Sequence, residues 1–293
     1  MYIIVSTSNN YKGEIIGVDC IIRANTIGHE IHLTRPILIF LLCNNLISLD
    51  DTIVTKNNER FFLYSDIFKN IIEYDNLPIN SEVIDITHIN TLIENRLNFD
   101  IKIDIEEKFP ILKKMRTNDV IIRTDEFNNL INKINYIPLI IDNDFVVIHD
   151  RNTTYNYSNV NDSIYLINNI LHYFPNLNIV LFTINKTNIN LNQIKVVNRI
   201  DEYASYMNHS RCRAVFSPFS GAGQLAQFCH NMNIYYYIGA YSFYKGNVEE
   251  LFIQSNEKSN IYSSFDLKKT TETTVKVFNT TQEIIQHIAI ISI

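Results

Sequence analysis

The stretch Ser217-Pro218-Phe219-Ser220-Gly221-Ala222-Gly223-Gln224-Leu225-Ala226-Gln227-Phe228-Cys229 decides the fold, because it sets two of the chain's seven glycines between an apolar run and a helical pattern. Upstream, Cys212-Arg213-Ala214-Val215-Phe216 reads as a short buried strand. Downstream, Gln224 to Asn231 carries Leu225, Phe228 and Cys229 on one helical face. Strand, tight polar turn and helix in succession form the unit of a parallel α/β layer. The first amides of such a helix lack intrahelical partners and add to its dipole, so the turn favours an anion, most often a phosphate. Gly221 and Gly223 let that anion approach the backbone, Ser217 and Ser220 offer hydroxyls, and Ala222 and Gln224 complete the loop. The competing reading is a plain glycine-bearing turn, since the stretch is neither G-x-G-x-x-G nor G-x-x-x-x-G-K-[ST].

Outward from this loop, the second half of the chain alternates strand and helix. Phe145 to Ile148 reads as a strand, Ser163 to Tyr173 as a helix, Asn178 to Phe182 and Ile194 to Val197 as strands, Asp201 to Asn208 as a helix, and Ile234 to Ile238 as a strand. Phe265 to Thr281 is threonine-rich and carries no clear period. A last helix is expected around Thr281 to His287. The first half has the same alternation: a strand at Met1 to Ser6, a helix over Leu33 to Ile47 with Pro36 in its first turn, strands at Asp51 to Thr55, Ile71 to Tyr74 and Ser81 to Thr87, and helices over Arg60 to Lys69 and Asp125 to Ile134. The pattern restarts after Ile137-Pro138. The chain is therefore expected to hold two doubly wound domains, residues 1–137 and 138–293.

Composition bounds what such domains do. With 293 residues, 46% hydrophobic and 19% charged, the chain has the make-up of a soluble globular protein. A net charge of −6 implies no general nucleic-acid surface. The apolar run Ile37 to Cys43 is too short to cross a bilayer, and the N-terminus lacks a signal-peptide pattern, so a cytoplasmic location is expected. Cys20, Cys43, Cys212 and Cys229 sit singly among apolar neighbours, as buried reduced thiols do. The many asparagines carry little signal, because they belong to a chain-wide bias towards Asn and Ile.

Three groups of residues carry candidate chemistry. His149-Asp150-Arg151 ends an apolar strand, and in an open parallel sheet strand ends on that edge bind ligands. The Arg151 guanidinium matches phosphate oxygens, and His149 orients it or contacts the ligand itself. In a parallel sheet, this strand end and the Ser217 to Gln224 loop open on one edge and can converge on one diphosphate without a metal. In the first half, His29 follows Gly28 in a loop and has the ordinary pKa of a general base, with Glu30, His32 and Asp19 as rivals. Asp142-Asn143-Asp144 reads as a solvated turn, and the Tyr155 to Tyr157 and Tyr235 to Tyr244 runs as core and rim or as stacking surfaces for a base or sugar.

The order Ile27-Gly28-His29 before a helix, His149-Asp150-Arg151 at a strand end, and Ser220-Gly221-x-Gly223-Gln224 opening a helix resembles GT-B glycosyltransferases of the bacterial and viral surface-glycan type. The layout covers most of the chain, and the specific matches occupy about twenty positions. The resemblance implies two Rossmann-like domains facing across a cleft. It also implies a nucleotide-sugar donor on the C-terminal half, a glycan or other hydroxyl acceptor approached from the N-terminal half, and neither metal nor cofactor. On this reading His149, Arg151, Ser217, Ser220, Gly221, Ala222, Gly223 and Gln224 bind the donor and His29 is catalytic. A sugar-nucleotide epimerase, a non-catalytic glycan-binding protein and, more distantly, a pyruvyl transferase stay open, because a scaffold does not fix its chemistry.

Overall fold

The structure is a computed structural model of the 293-residue chain; it describes residues 1–6, 27–86, 125–150, 161–183, 192–218, 221–229, 233–237, 274–278 and 280–290. It is an α/β protein with two parallel sheets, one of four strands and one of six. The chain divides into two compact units, the first built on Met1–Asn135 and the second on Tyr136–Ser255 and Leu267–Ile293.

The first sheet contains β1 (Tyr2–Ile4), β2 (Thr52–Thr55), β3 (Asn70–Glu73) and β4 (Val83–Asp85) in the order β3-β2-β1-β4. All described pairings are parallel, with Ile3 opposite Ile53 and Ile84. Between β1 and β2 run α1 (Ile27–His29), a π-helical turn (Glu30–Thr34) and α2 (Arg35–Cys43). Residues Arg35 to Leu41 of α2 are all buried, so its side chains are apolar around most of its circumference. The exception is Arg35, only 1% exposed, whose guanidinium donates to the carbonyls of Leu63, Leu130, Ile131 and Lys133. Three of those carbonyls belong to the end of α3 (Asp125–Ile131) or to the turn after it, where helical carbonyls lack partners and a cation is favoured.

The second sheet contains β5 (Phe145–Asp150), β6 (Asn178–Thr183), β7 (Ile194–Val197), β8 (Cys212–Pro218), β9 (Asn233–Tyr237) and β10 (Thr274–Phe278), in the order β10-β9-β8-β5-β6-β7. The chain starts at a central strand, winds outward to one edge, returns to the centre and winds outward to the other. Numbered along the chain, this is the doubly wound order 3-2-1-4-5-6. Strand residues alternate between its two faces. On one face Val146, Ile148, Leu181, Phe216 and Tyr235 form a core with α4 (Asn161–Tyr173) and α6 (Thr281–Ile288). On the other, Phe145 meets Tyr206 of α5 (Ile200–Met207) edge-on at 5.8 Å. Both faces are covered, which is why β5 and β8 read as near-continuous apolar runs.

Most expected elements are present where they can be described, although the helix expected over Asp125 to Ile134 ends at Ile131, and four further differences stand out. The helix expected at Leu33 to Ile47 ends at Cys43, because Asn45 turns into the left-handed region at φ 56° and Leu46 N–H bonds back to Leu41 O. The helix expected at Arg60 to Lys69 is a 3-10 segment over Asn58–Leu63 followed by turns. The helix expected from Gln224 to Asn231 is a six-residue 3-10 segment over Gly223–Phe228. The unassigned stretch before Thr281 contains the edge strand β10. Gly13 to Ile22, Val120 to Ile122 and Tyr155 to Tyr157 lie outside the described residues.

Candidate functional site at the carboxyl edge of the second sheet

In an open α/β sheet, adjacent strands whose connections leave in opposite directions open a crevice at their carboxyl ends. Here those strands are β5 and β8, which end at Asp150 and Pro218. Two of the expected site residues meet at this point: His149 Nδ1 lies 3.1 Å from Ser217 Oγ, across 68 residues of sequence. The Ser217 hydroxyl donates to Pro218 O at 2.8 Å, so it accepts from His149, and the imidazole carries a proton on Nδ1. His149 is 6% exposed and Ser217 is fully buried. The imidazole is held by the Phe182 and Tyr203 rings, with centroids at 5.1 and 5.5 Å, and those two rings stack on each other at 4.3 Å.

The loop after β8 is fastened to this pair. A Cβ added to Gly223 would lie 2.1 Å from Ser217 Oγ and 3.0 Å from Pro218 O, so only glycine allows the approach. Tyr236 of β9 donates its phenol proton to Gly223 O at 3.0 Å, and Tyr237 donates to His149 O at 3.5 Å. Gly221 and Ala222 remain partly exposed above the buried Gly223. The signal for Gly223 in the sequence was glycine scarcity; its physical cause is close contact with the Ser217 side chain. The tyrosines of β9 serve as core and anchors.

Three strand and helix ends meet on the opposite side of β5. Asp150 accepts from Ser163 Oγ of α4 at 2.7 Å and from Thr183 Oγ1 at the end of β6 at 3.2 Å. Its carboxylate therefore lies at the start of the 13-residue helix α4, where a negative charge is stabilised. Sequence reasoning missed Ser163 and Thr183, because their partner is far away in the chain. Arg151, Ser220 and the Gln224 side chain lie outside the described residues.

The six-residue 3-10 segment changes one expectation at the loop. It aligns fewer peptide dipoles than the eight-residue helix read from the sequence, and its N-cap Ala222 offers no side-chain acceptor. Its end therefore contributes less to anion binding than the sequence pattern suggested.

In the first unit, His29 ends α1, its side chain outside the described residues, and its neighbour Glu30 is fully buried. Tyr64 donates to Glu30 Oε1 at 2.9 Å, and Arg60 Nε stands 3.8 Å from Oε2. Burial raises the Glu30 carboxyl above its ordinary range, opposed by Arg60, Tyr64, Ser6 and Arg35. Burial also pushes the Cys229 thiol up to about 12 and raises Cys212 further, so neither is a reactive thiolate. Asp144 stays on the surface, bound by Arg213 at 2.7 Å and Arg211 at 3.3 Å, and its carboxyl is lowered chiefly by the Arg213 hydrogen bond.

No family model matches the chain, and neither a curated protein nor a solved structure does. Among the described residues, no group of three or more His, Cys, Asp or Glu side chains could hold a metal ion. No described helix is long and apolar enough to cross a membrane.

Proposed function

We propose that the chain is a glycosyltransferase that moves a sugar from a nucleotide-sugar donor to a hydroxyl of a glycan or other acceptor. The observation that carries this reading is the meeting of His149 and Ser217 at 3.1 Å where the 3-2-1-4-5-6 winding reverses. The second unit binds the donor there. The buried His149 and Ser217 pair positions the loop, the partly exposed backbone at Gly221 and Ala222 faces the diphosphate, and Arg151, next after β5, supplies the guanidinium. Stabilising the departing nucleoside phosphate is the main work of these groups, since that is where negative charge develops. The first unit takes the acceptor, the division of labour of a GT-B transferase. Asp150 is the counterweight: its carboxylate already occupies the start of α4, which leaves the β8 side of the crevice for phosphate.

A melting-temperature screen of the full chain against UDP-, GDP-, CMP- and dTDP-sugars tests the reading. One base should stand out, because a ligand at 100 times its dissociation constant adds about 2.7 kcal/mol to stability. Flat melting curves across the whole panel would remove the donor site. Conversion of a free nucleotide sugar with no acceptor consumed would favour an epimerase.

A further inference from the structure

The start and the end of the loop after β8 are held from different places in the second unit. At its start, Gly223 lies against Ser217 of β8, and Tyr236 of β9 donates to Gly223 O. Both of these holds come from the sheet. At its end, the Tyr136 hydroxyl donates to Phe228 O at 3.3 Å and lies 3.8 Å from the buried Cys229 Sγ. Tyr136 is the first residue of the second unit and opens a segment, residues 136–144, that belongs to no helix or strand.

The next residue is tied to another element beside the same crevice. Ile137 N–H donates to Ser205 Oγ at 2.8 Å, and the Ser205 hydroxyl donates in turn to Asp201 O at 2.7 Å within α5. That helix carries Tyr203, whose ring packs on the His149 imidazole at 5.5 Å. Two consecutive linker residues therefore bond to the loop that Ser217 touches and to the helix that holds His149. The segment they open is the soft partner: Ile137 is 40% and Ile140 98% exposed, and Pro138 between them has no N–H to give. Backbone with few buried apolar contacts opens locally at far lower cost than a sheet. On the other side of Tyr136, Asn135 is fastened within the first unit, by its N–H to Phe62 O at 2.9 Å and its side-chain amide to Ser65 Oγ at 3.0 Å.

We propose that Tyr136 and Ile137 couple nucleotide binding at the loop after β8 to the order of linker residues 136–141. This rests on the donor site of the transferase reading above. The linker exchanges between a loosened state and a fastened one, and only the fastened state fixes the end of the loop through Phe228. A nucleotide that binds the fixed loop draws the linker into the fastened state. Such coupling is reciprocal, so loosening the linker weakens the nucleotide by the factor with which the nucleotide tightens the linker. Tyr136 is thus a positioning residue that acts through Phe228, and Ser205 is its support on α5.

Hydrogen exchange of residues 136–141 and calorimetric titration, both on the full chain, test the coupling with UDP, GDP, CMP and dTDP as probes. When the nucleotide that binds wild type is saturating, these amides should exchange at least about threefold more slowly than in the free protein. Tyr136→Phe removes the bond to Phe228 O and should weaken that nucleotide about three- to tenfold, the usual worth of one hydrogen bond. Ser205→Ala frees the Ile137 N–H without touching the loop, and should weaken it at least about twofold. Both variants should lose the nucleotide-dependent slowing. A merely structural role would lower the melting temperature of the variants but leave affinity and slowing, measured well below that temperature, as in wild type. Ser205→Ala decides the matter if Tyr136→Phe fails to fold. Unchanged exchange in saturated wild type, or wild-type affinity in either folded variant, would overturn the coupling and leave the donor site standing. Failure of all four nucleotides to bind wild type would instead bring down the donor site, and the coupling with it.

Discussion

A single buried carboxyl shows how residue environment becomes a measurable property. Glu30 is held above its ordinary value near 4.5, chiefly by burial, so between that value and its native one the folded chain holds a proton that the unfolded chain has lost. Its contribution to stability is therefore fully present below about pH 4.5 and is lost as pH rises through the native value. This is opposite in sign to the usual salt-bridged carboxylate. Glu30→Gln removes the titration, so its stability relative to wild type should rise across that window and level off above it. Urea unfolding at pH 4, 5, 6, 7 and 8 checks this; parallel curves for the two proteins would show that the carboxyl is not perturbed. Glu30 was legible in the sequence only as a rival of His29. Its burial depends on Ser6, Arg60 and Tyr64, which are spread over 58 residues of sequence, and no local pattern reports such a contact.

At the scale of elements, strands bounded by turn residues were legible, while helix ends and helix type were not. β5 and β8 were readable because a sheet covered on both faces demands unbroken apolar runs. β10 escaped because Thr274 and Lys276 break such a run, and an edge strand tolerates them. α2 appeared four residues too long because asparagines were discounted as compositional bias. Asn45 in fact stops that helix: its own N–H bonds to Leu42 O while Leu46 N–H reaches Leu41 O. At φ 56° an ordinary side chain is strained, so Asn45→Ala should cost about 1 kcal/mol and Asn45→Gly should be neutral or gain up to a similar amount. Chemical denaturation of the pair is the check, and equal stability of the Ala and Gly variants would contradict the helix-stop assignment. The loop after β8 was legible as a glycine turn, but its 3-10 geometry follows from distant fixings by Ser217 and Tyr236.

For the whole molecule, two parallel sheets followed from the alternation of strands and helices, but the order of strands did not. Winding outward, returning to the centre and winding the other way is a non-local choice, and it alone makes neighbours of His149 and Ser217. The functional proposal depends on that neighbourhood, and Gly223 is its most sensitive point, since an added methyl must displace the Ser217 hydroxyl or the Pro218 carbonyl. Calorimetric titration of UDP, GDP, CMP and dTDP into the wild-type chain and into Gly223→Ala is therefore the most direct measurement. One nucleotide should bind wild type at a single site, and Gly223→Ala should weaken it at least tenfold, about 1.4 kcal/mol. Absence of binding by all four, or equal affinity in the two proteins, would contradict a nucleotide site at the junction of β5 and β8.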